Sequence, residues 1–538
     1  MHQRPIHYSK EDGKRSSCLL QFTISTFRGD TMMYKHGQIR LSIKSAVVTL
    51  VLLSMTMTGG VMALDINEPD YDLKLLGKYV FFDTSLSTPG NKQGCVSCHE
   101  PKDGWTFPDS DVNAGQVGNP GASPHATGHI KPPAASYAAF VPVFQPCNLG
   151  FPIFLGGVGH CGGLFWDGRA EGWGANYPAQ PGPLGNGQVT DTVILNDLPA
   201  DKQVAYKKYL GPLVDQALNP FQKGIEQNAG EKKVCQQVKT AEYKELYYKA
   251  FGEEIDCKTK PKDNPGYHRS FQLIVLATAA FEASNEFNPF NSRRDMALEN
   301  DADGAFPLYD LTNEENLGHD LFYGKVSDLN PTGTDAGCWN CHTDDPDNDD
   351  GTEPHQTYSD DAYHTIGIPF YREMRTANKG DIVGASDHIV DHPQPPGPPC
   401  RVLGCPTSPG FYKNPTLRNV DLRESPDFVK AYGHNGYFKS LWQIVHFYST
   451  RDLKPDCAVT IPEIADPTVE EALAADCWPD TEFPPDNNFG GVGILNLTEA
   501  EEKALVAYLK TLSDTKVAEP PPPYKSGPAP KAKKKGKK

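Results

Sequence analysis

The sequence predicts a mainly α-helical chain in two repeated halves, and three observations carry that prediction. The pentad Cys-x-x-Cys-His occurs twice, as Cys95-Val96-Ser97-Cys98-His99 and as Cys338-Trp339-Asn340-Cys341-His342. Similar stretches precede the two pentads: Leu76-Gly77-Lys78-Tyr79-Val80-Phe81-Phe82 and Leu317-Gly318-His319-Asp320-Leu321-Phe322-Tyr323. Each reads as a short amphipathic helix, then a Gly/Asn/Asp-rich turn, then a helix bearing the pentad. Strand signals are sparse, and 47 prolines with 49 glycines imply long irregular loops.

The pentads carry chemistry. Two thiols three residues apart can each add across a haem vinyl group, and the adjacent histidine can ligate the iron from one face. A chance pentad is expected on the order of 1 % of the time in such a chain, so two chance matches are very improbable. Two covalently bound haem c groups are therefore expected, one on Cys95, Cys98 and His99, the other on Cys338, Cys341 and His342. The expected architecture is two cytochrome c-like haem domains, residues 64–290 and 291–515.

The remaining elements follow in order. Lys35, Arg40 and Lys44 precede an apolar run from Ala46 to Leu53 that continues through Met62, with Val61-Met62-Ala63 as a small-residue cleavage site. Residues 1–63 read as a secretory leader, and Met32 or Met33 would give it an ordinary length. The expected location is periplasmic, or secreted and cell-surface associated. His268 to Phe287 reads as a buried helix and Leu441 to Tyr448 as another. Thr498-Glu499-Ala500-Glu501 is a capping box opening the last helix, which runs to about Leu512. Inserts at 343–354 and 465–488 read as surface loops. The first holds Asp345, Asp347, Asp349 and Gly351, but the glycine is one place late and no glutamate closes the loop, so a solvated loop is expected rather than a calcium loop. Residues 516–538 read as a disordered Pro/Lys-rich tail.

Thirteen cysteines are present. Setting aside Cys18 and the four pentad cysteines leaves four sequence-local pairs: Cys147 and Cys161, Cys235 and Cys257, Cys400 and Cys405, Cys457 and Cys477. Disulfides suit an exported chain, and nearest-neighbour pairing is one of 105 connectivities. Further metal sites would need short spacings with histidine, which these cysteines lack. A net charge of −17 argues against nucleic acid as partner.

The succession is more specific than any single motif. The first pentad is followed by Phe165-Trp166-Asp167-Gly168-Arg169, then Asp215-Gln216-Ala217-Leu218. After the second pentad come Pro415-Thr416-Leu417-Arg418-Asn419 and His434-Asn435-Gly436. Over nearly all of the mature chain this order resembles the bacterial di-haem cytochrome c peroxidase family, which includes MauG, an enzyme that oxidises residues of another protein.

The resemblance implies roles residue by residue. Trp166 would lie between the haems as an electron relay; from the residues alone it reads as a core tryptophan. Arg169 and Arg418 would pair with haem propionates, since a guanidinium forks onto carboxylates, or form structural salt bridges. Gln216 and Glu226, ten residues apart, would line the peroxide-binding face of the first haem. There a carboxylate can accept a proton from one peroxide oxygen and return it to the other. The long insertion from Glu171 to Leu210 departs from the family pattern, and Gln222 is a weaker substitute. Peroxidases that oxidise cytochrome c place a methionine fourteen residues beyond the histidine of the His434 motif, as ligand to the second iron. Here that count reaches Tyr448, and no methionine follows Met374. Tyrosine there is the MauG pattern, and a phenolate stabilises higher iron oxidation states whereas a thioether raises the potential. His446 is the rival ligand. Neither His125 nor His129 matches a distal histidine, so an open first iron is expected. The family's inter-domain calcium ion is a weaker expectation, because Lys131 stands where asparagine is usual.

Hydrogen peroxide is the implied oxidant, with a redox protein donor or a protein substrate as partner; a homodimer is compatible with this reading. The expected function is a MauG-like di-haem peroxidase. The rivals are a conventional peroxidase with a small soluble donor, a non-enzymatic di-haem electron carrier, and a di-haem oxygenase cleaving polymer double bonds.

Overall fold

The computed structural model describes residues 64–115, 117–123, 126–128, 130–147, 159–172, 194–262, 266–343, 350–371, 411–483, 485 and 491–525. The leader, His125, His129, residues 344–349, Cys400, Cys405 and residues 526–538 lie outside these.

Two helix crossings organise the chain, and each is built on one copy of the repeated stretch. Helix α1, Tyr71–Phe82, turns Leu73, Leu76 and Val80 into the first core, the spacing of one helical face. It crosses α3, Gly266–Glu282, the expected buried helix. Pro212–Gln222 forms α2, which also packs on α3. In the second half α4, Asn313–Tyr323, crosses α6, Glu499–Lys510, and α5, Leu441–Thr450, packs beside α6. The Leu-Gly pair shared by the repeats explains the close approach. A Cβ on Gly77 would lie 1.8 Å from the Ala277 carbonyl oxygen, and one on Gly318 would lie 2.0 Å from that of Ala504. Only glycine permits both crossings.

The capping box opening α6 is present, with Thr498 accepting from the Glu501 N–H, and boxes at Thr312 and Ser440 open α4 and α5 in the same way. Strands are short. β1, Gln145–Cys147, pairs antiparallel with β2, Gly159–Cys161, and β3, Tyr363–His364, pairs antiparallel with β4, Tyr412–Lys413. Cys235–Cys257 and Cys457–Cys477 are disulfides, and Cys161 is also disulfide-bonded. No helix among the described residues is long and apolar enough to cross a membrane.

The structure differs from expectation in three places. The 465–488 insert, expected as a surface loop, contains a helix at Val469–Ala474 and buries Val469, Ala472, Cys477 and Trp478. Neither pentad begins on a full helix: Cys95–Ser97 and Cys338–Asn340 are single 3₁₀ turns. Pro101 follows closely on the first and holds Glu100 extended, which ends the turn. Residues 518–524 of the expected tail pack against the first half. Ala518 is buried among Phe81, Trp105, Phe281 and Phe287, Tyr79 donates to the Pro522 carbonyl at 2.7 Å, and Tyr524 packs on Tyr79. Composition suggested a solvated extension because its few apolar groups make no core of their own; they complete one supplied by the first half.

Candidate functional site

The two pentads open onto two cavities that share a wall. The first, about 530 Å³, is lined by Cys95, Cys98 and His99, and lies within the range of cofactor clefts, ~300–1,000 Å³. The second, about 230 Å³, is lined by Cys338, Cys341 and His342. In each pentad the histidine donates its Nδ1–H to a main-chain carbonyl, His99 to Trp105 at 3.0 Å and His342 to Tyr358 at 2.9 Å. That bond fixes the tautomer and leaves Nε2 with its lone pair free to ligate. Burial favours the neutral ring, pushing His99 down to about 4 and lowering His342. Among the described side chains, only the four pentad cysteines are outside disulfides. Burial raises the Cys98 and Cys338 thiols to about 12, so they are held as thiols.

To the same cavity α2 and the loop after it supply Gln216, Lys223, Glu226 and Gln227, the last reaching Cys95 Sγ at 3.7 Å. Glu226 is held by main-chain bonds on both sides, its N–H donating to the Lys223 carbonyl at 3.0 Å and its carbonyl accepting from Ala122 at 2.7 Å. Burial raises its carboxyl above the ordinary range, and the charges of Arg169 and Lys223 oppose that rise without cancelling it. Glu226 and Cys98 line the same cavity. Gln222, the weaker substitute, does not line the cavity. Arg169 lines it, lying over Phe165 at 3.8 Å and bonding Asp167 at 2.9 Å.

Trp166, Lys131, Pro133 and Ala134 line both cavities. The Trp166 indole N–H donates to the Lys131 carbonyl at 2.7 Å, and its own carbonyl accepts from the Lys413 N–H at 2.8 Å. The tryptophan loop is thus tied to β4 of the second half. Trp166 meets the rings of Tyr412 and His434 edge-on, each at 6.4 Å, and those two rings stack at 3.7 Å.

In the second cavity α5 presents Leu441, Ile444, Val445 and Tyr448, successive positions on one helical face. Burial, with the two pentad cysteines beside it, raises the Tyr448 phenol far above its ordinary value, so the unliganded phenol is neutral. His446, the rival ligand, points elsewhere: it bonds Glu502 at 2.9 Å and stacks on Trp442 at 4.9 Å. Arg418 is fully buried, bonded to Asp295 and, through Nε, to the Gln356 carbonyl at 2.7 Å. Its Nη2 and the Tyr412 hydroxyl are buried without a partner.

These features fit a haem in each cavity. Each has a histidine with a fixed tautomer, two unpaired thiols and, in the second, an orphaned guanidinium N–H suited to a carboxylate. Cys341, Asp360 and His364 bring ligand atoms within 4.8 Å of one another, but His364 bonds Asp360 at 3.0 Å and Cys341 belongs to the pentad.

Two cavity residues have no motif to announce them. Glu282 ends α3 facing the first cavity, and burial pushes its carboxyl up to about 8. A single acid closing the apolar run from Phe271 to Phe281 was its signal. Lys131 was visible only as a departure from a family pattern.

Residues 72–303 match the family described as di-haem cytochrome c peroxidase. The methylamine utilization protein MauG of Paracoccus denitrificans is 26% identical over 446 residues, 83% of this chain and 89% of MauG. The crystal structure of the diheme peroxidase BthA from Burkholderia thailandensis superposes with a TM-score of 0.52 at 23% identity, covering 83% of this chain and 87% of BthA. A BthA variant gives 0.53 at the same identity and coverage. These two structural likenesses establish the mainly helical fold.

Proposed function

Because the chain belongs to the bacterial di-haem cytochrome c peroxidase/MauG family, we propose that it is an exported peroxidase that reduces hydrogen peroxide at its first cavity. We further propose that it oxidises a protein partner, as MauG does. The observation that carries the reading is Trp166, which borders both cavities and is bonded on both sides, to Lys131 and to Lys413.

Cys95, Cys98 and His99 would hold one haem, Cys338, Cys341 and His342 the other, with Arg169 and Arg418 near their carboxylates. Bound haem supplies the iron that exchanges electrons with peroxide. The chain's own residues do the rest. Glu226 accepts a proton from one peroxide oxygen and returns it to the other, and its raised pKa suits both halves of that exchange. Gln216 orients the peroxide by its side-chain amide. The indole of Trp166 passes electrons between the cavities. Tyr448 closes the second cavity, where it would ligate iron only after losing the proton that burial now holds on it. A tyrosine ligand favours the MauG-like reaction over a conventional peroxidase, in which a soluble donor must reduce the second haem.

Intact mass should give two haem additions on a chain lacking its leader, starting near Leu64. Addition of one equivalent of peroxide should change the optical and EPR spectra of both haems. In Trp166→Phe the first haem should still respond while the second does not. Undiminished turnover in a folded Trp166→Phe protein would remove the relay. Two haems inert to peroxide would leave an electron carrier.

A further inference from the structure

We propose that the Lys131 ammonium is a shared counter-ion for the haem carboxylates, binding propionates from the wall common to both cavities. The proposal rests on the reading that the cavities hold haem.

Lys131 is placed at this wall by its main chain. Its N–H donates to the His434 carbonyl at 3.0 Å, and its carbonyl accepts the indole N–H of Trp166 at 2.7 Å. Pro132 and Pro133 follow and stiffen the segment. The side chain then has little to meet. Its Nζ bonds only the Pro132 carbonyl, at 3.2 Å, and no carboxylate among the described residues pairs with it. Its charge reaches His99 on one side and Lys430 on the other. Lys430 lines the second cavity, is 3 % exposed, and is met by three main-chain carbonyls, those of Asp103 at 3.0 Å, Asn419 at 3.1 Å and Leu422 at 2.8 Å. Half-buried Lys131 therefore stands near buried Lys430; burial pushes the two amines down to about 8 and about 7, and Asp421 and Asp103 offset part of that at Lys430.

Charges withdrawn from water are paired or coordinated, because an unpaired one loses its hydration with nothing in exchange. The carboxylates of the first cavity do not answer this charge. Glu226 interacts with Arg169 and Lys223, Asp167 bonds Arg169, and Glu282 is neutral over most of the ordinary pH range. Haem brings the missing anions. It carries two propionates on the edge opposite its vinyl groups, so thioether bonds at the cysteines leave the acidic edge to find cations elsewhere. Among the described residues, Lys131 is the one cationic side chain that lines both cavities. The same residue that fixes the Trp166 indole by its carbonyl would, by its ammonium, fix the haem edges on either side.

The test uses the full-length, haem-loaded protein as wild type, Lys131→Met, Lys131→Gln and Lys131→Arg. Haem content is read by intact mass and each midpoint potential by spectroelectrochemical titration. Loss of the ammonium should favour the oxidised form, shifting the reduction equilibrium of at least one haem by about tenfold, ~59 mV for one electron. Lys131→Arg should stay within about threefold of wild type, because it keeps the charge. Loss of haem from the Met and Gln variants but not from Arg would also support the pairing. Unshifted potentials in two-haem Met and Gln variants would overturn it, and so would loss of haem from all three variants. Wild-type protein without covalent haem would instead remove the reading of the cavities themselves.

Discussion

The first and second cavities share one anchoring device and differ in the rest of their lining. In both, a histidine beside two thiols gives its Nδ1–H to a main-chain carbonyl. The first cavity, about 530 Å³, includes Gln216, Lys223, Glu226 and Gln227 in its lining. The second, about 230 Å³, has Leu441, Ile444, Val445 and Tyr448 of α5, together with Arg418, Lys430, His434 and Glu482. The repeat has therefore kept the histidine-and-thiol geometry and diverged in the side chains that line the rest of each cavity.

That contrast can be broken most directly at Glu226. Glu226→Gln should keep both haems and slow peroxide cleavage by roughly 10²–10⁴, the usual scale of lost acid–base catalysis. In wild type the same step should weaken as pH falls through the raised pKa of this carboxyl, because the proton-accepting form disappears. An unchanged rate in stopped-flow mixing would take Glu226 out of the reaction.

Tyr448 tests the other wall. Tyr448→Met should raise the potential of the second haem, within the range of about 0.8 V that axial ligands span. Tyr448→Phe should leave that iron open or water-bound, visible by EPR. A methionine or histidine signature in the wild-type spectrum would instead make the chain a conventional peroxidase.

The shared architecture predicts equal sensitivity at equivalent glycines. Gly77→Ala and Gly318→Ala should each destabilise the protein by ~1–3 kcal/mol or more, the cost of overpacking against a backbone that cannot yield. Thermal unfolding of both variants checks this; a tolerated Gly318→Ala would mean the two crossings are not equivalent.

A smaller difference concerns Glu282: the second cavity also has a glutamate, Glu482, but that one bonds His434 at 2.7 Å, whereas burial dominates at Glu282. Its folded pKa is raised, so its stabilising contribution is full below the ordinary carboxyl value of 4.5 and is lost as pH rises toward about 8. Wild type should lose at most about 1.4 kcal/mol per pH unit through this window from this group. Glu282→Gln should flatten that slope in denaturant titrations; equal slopes would mean the carboxyl titrates normally.

The chain by itself determined what repeats and where covalent haem is expected. The pentads, the Leu-Gly stretches before them and the capping box at Thr498 are local patterns, and local patterns depend on spacing alone. The order of motifs also named Trp166, Gln216, Glu226 and Tyr448, all of which line one cavity or both. Tertiary structure decided the rest, because it depends on contacts between residues far apart in sequence. It separated Tyr448 from His446, because the tyrosine lines the second cavity while the histidine bonds Glu502 at 2.9 Å. It packed residues 518–524 against the first half, where their apolar groups complete a core made more than two hundred residues earlier. It also put a lone lysine and a lone glutamate, Lys131 and Glu282, into a cavity wall. No spacing announces such residues, because a single charge becomes informative only when the surroundings deny it water.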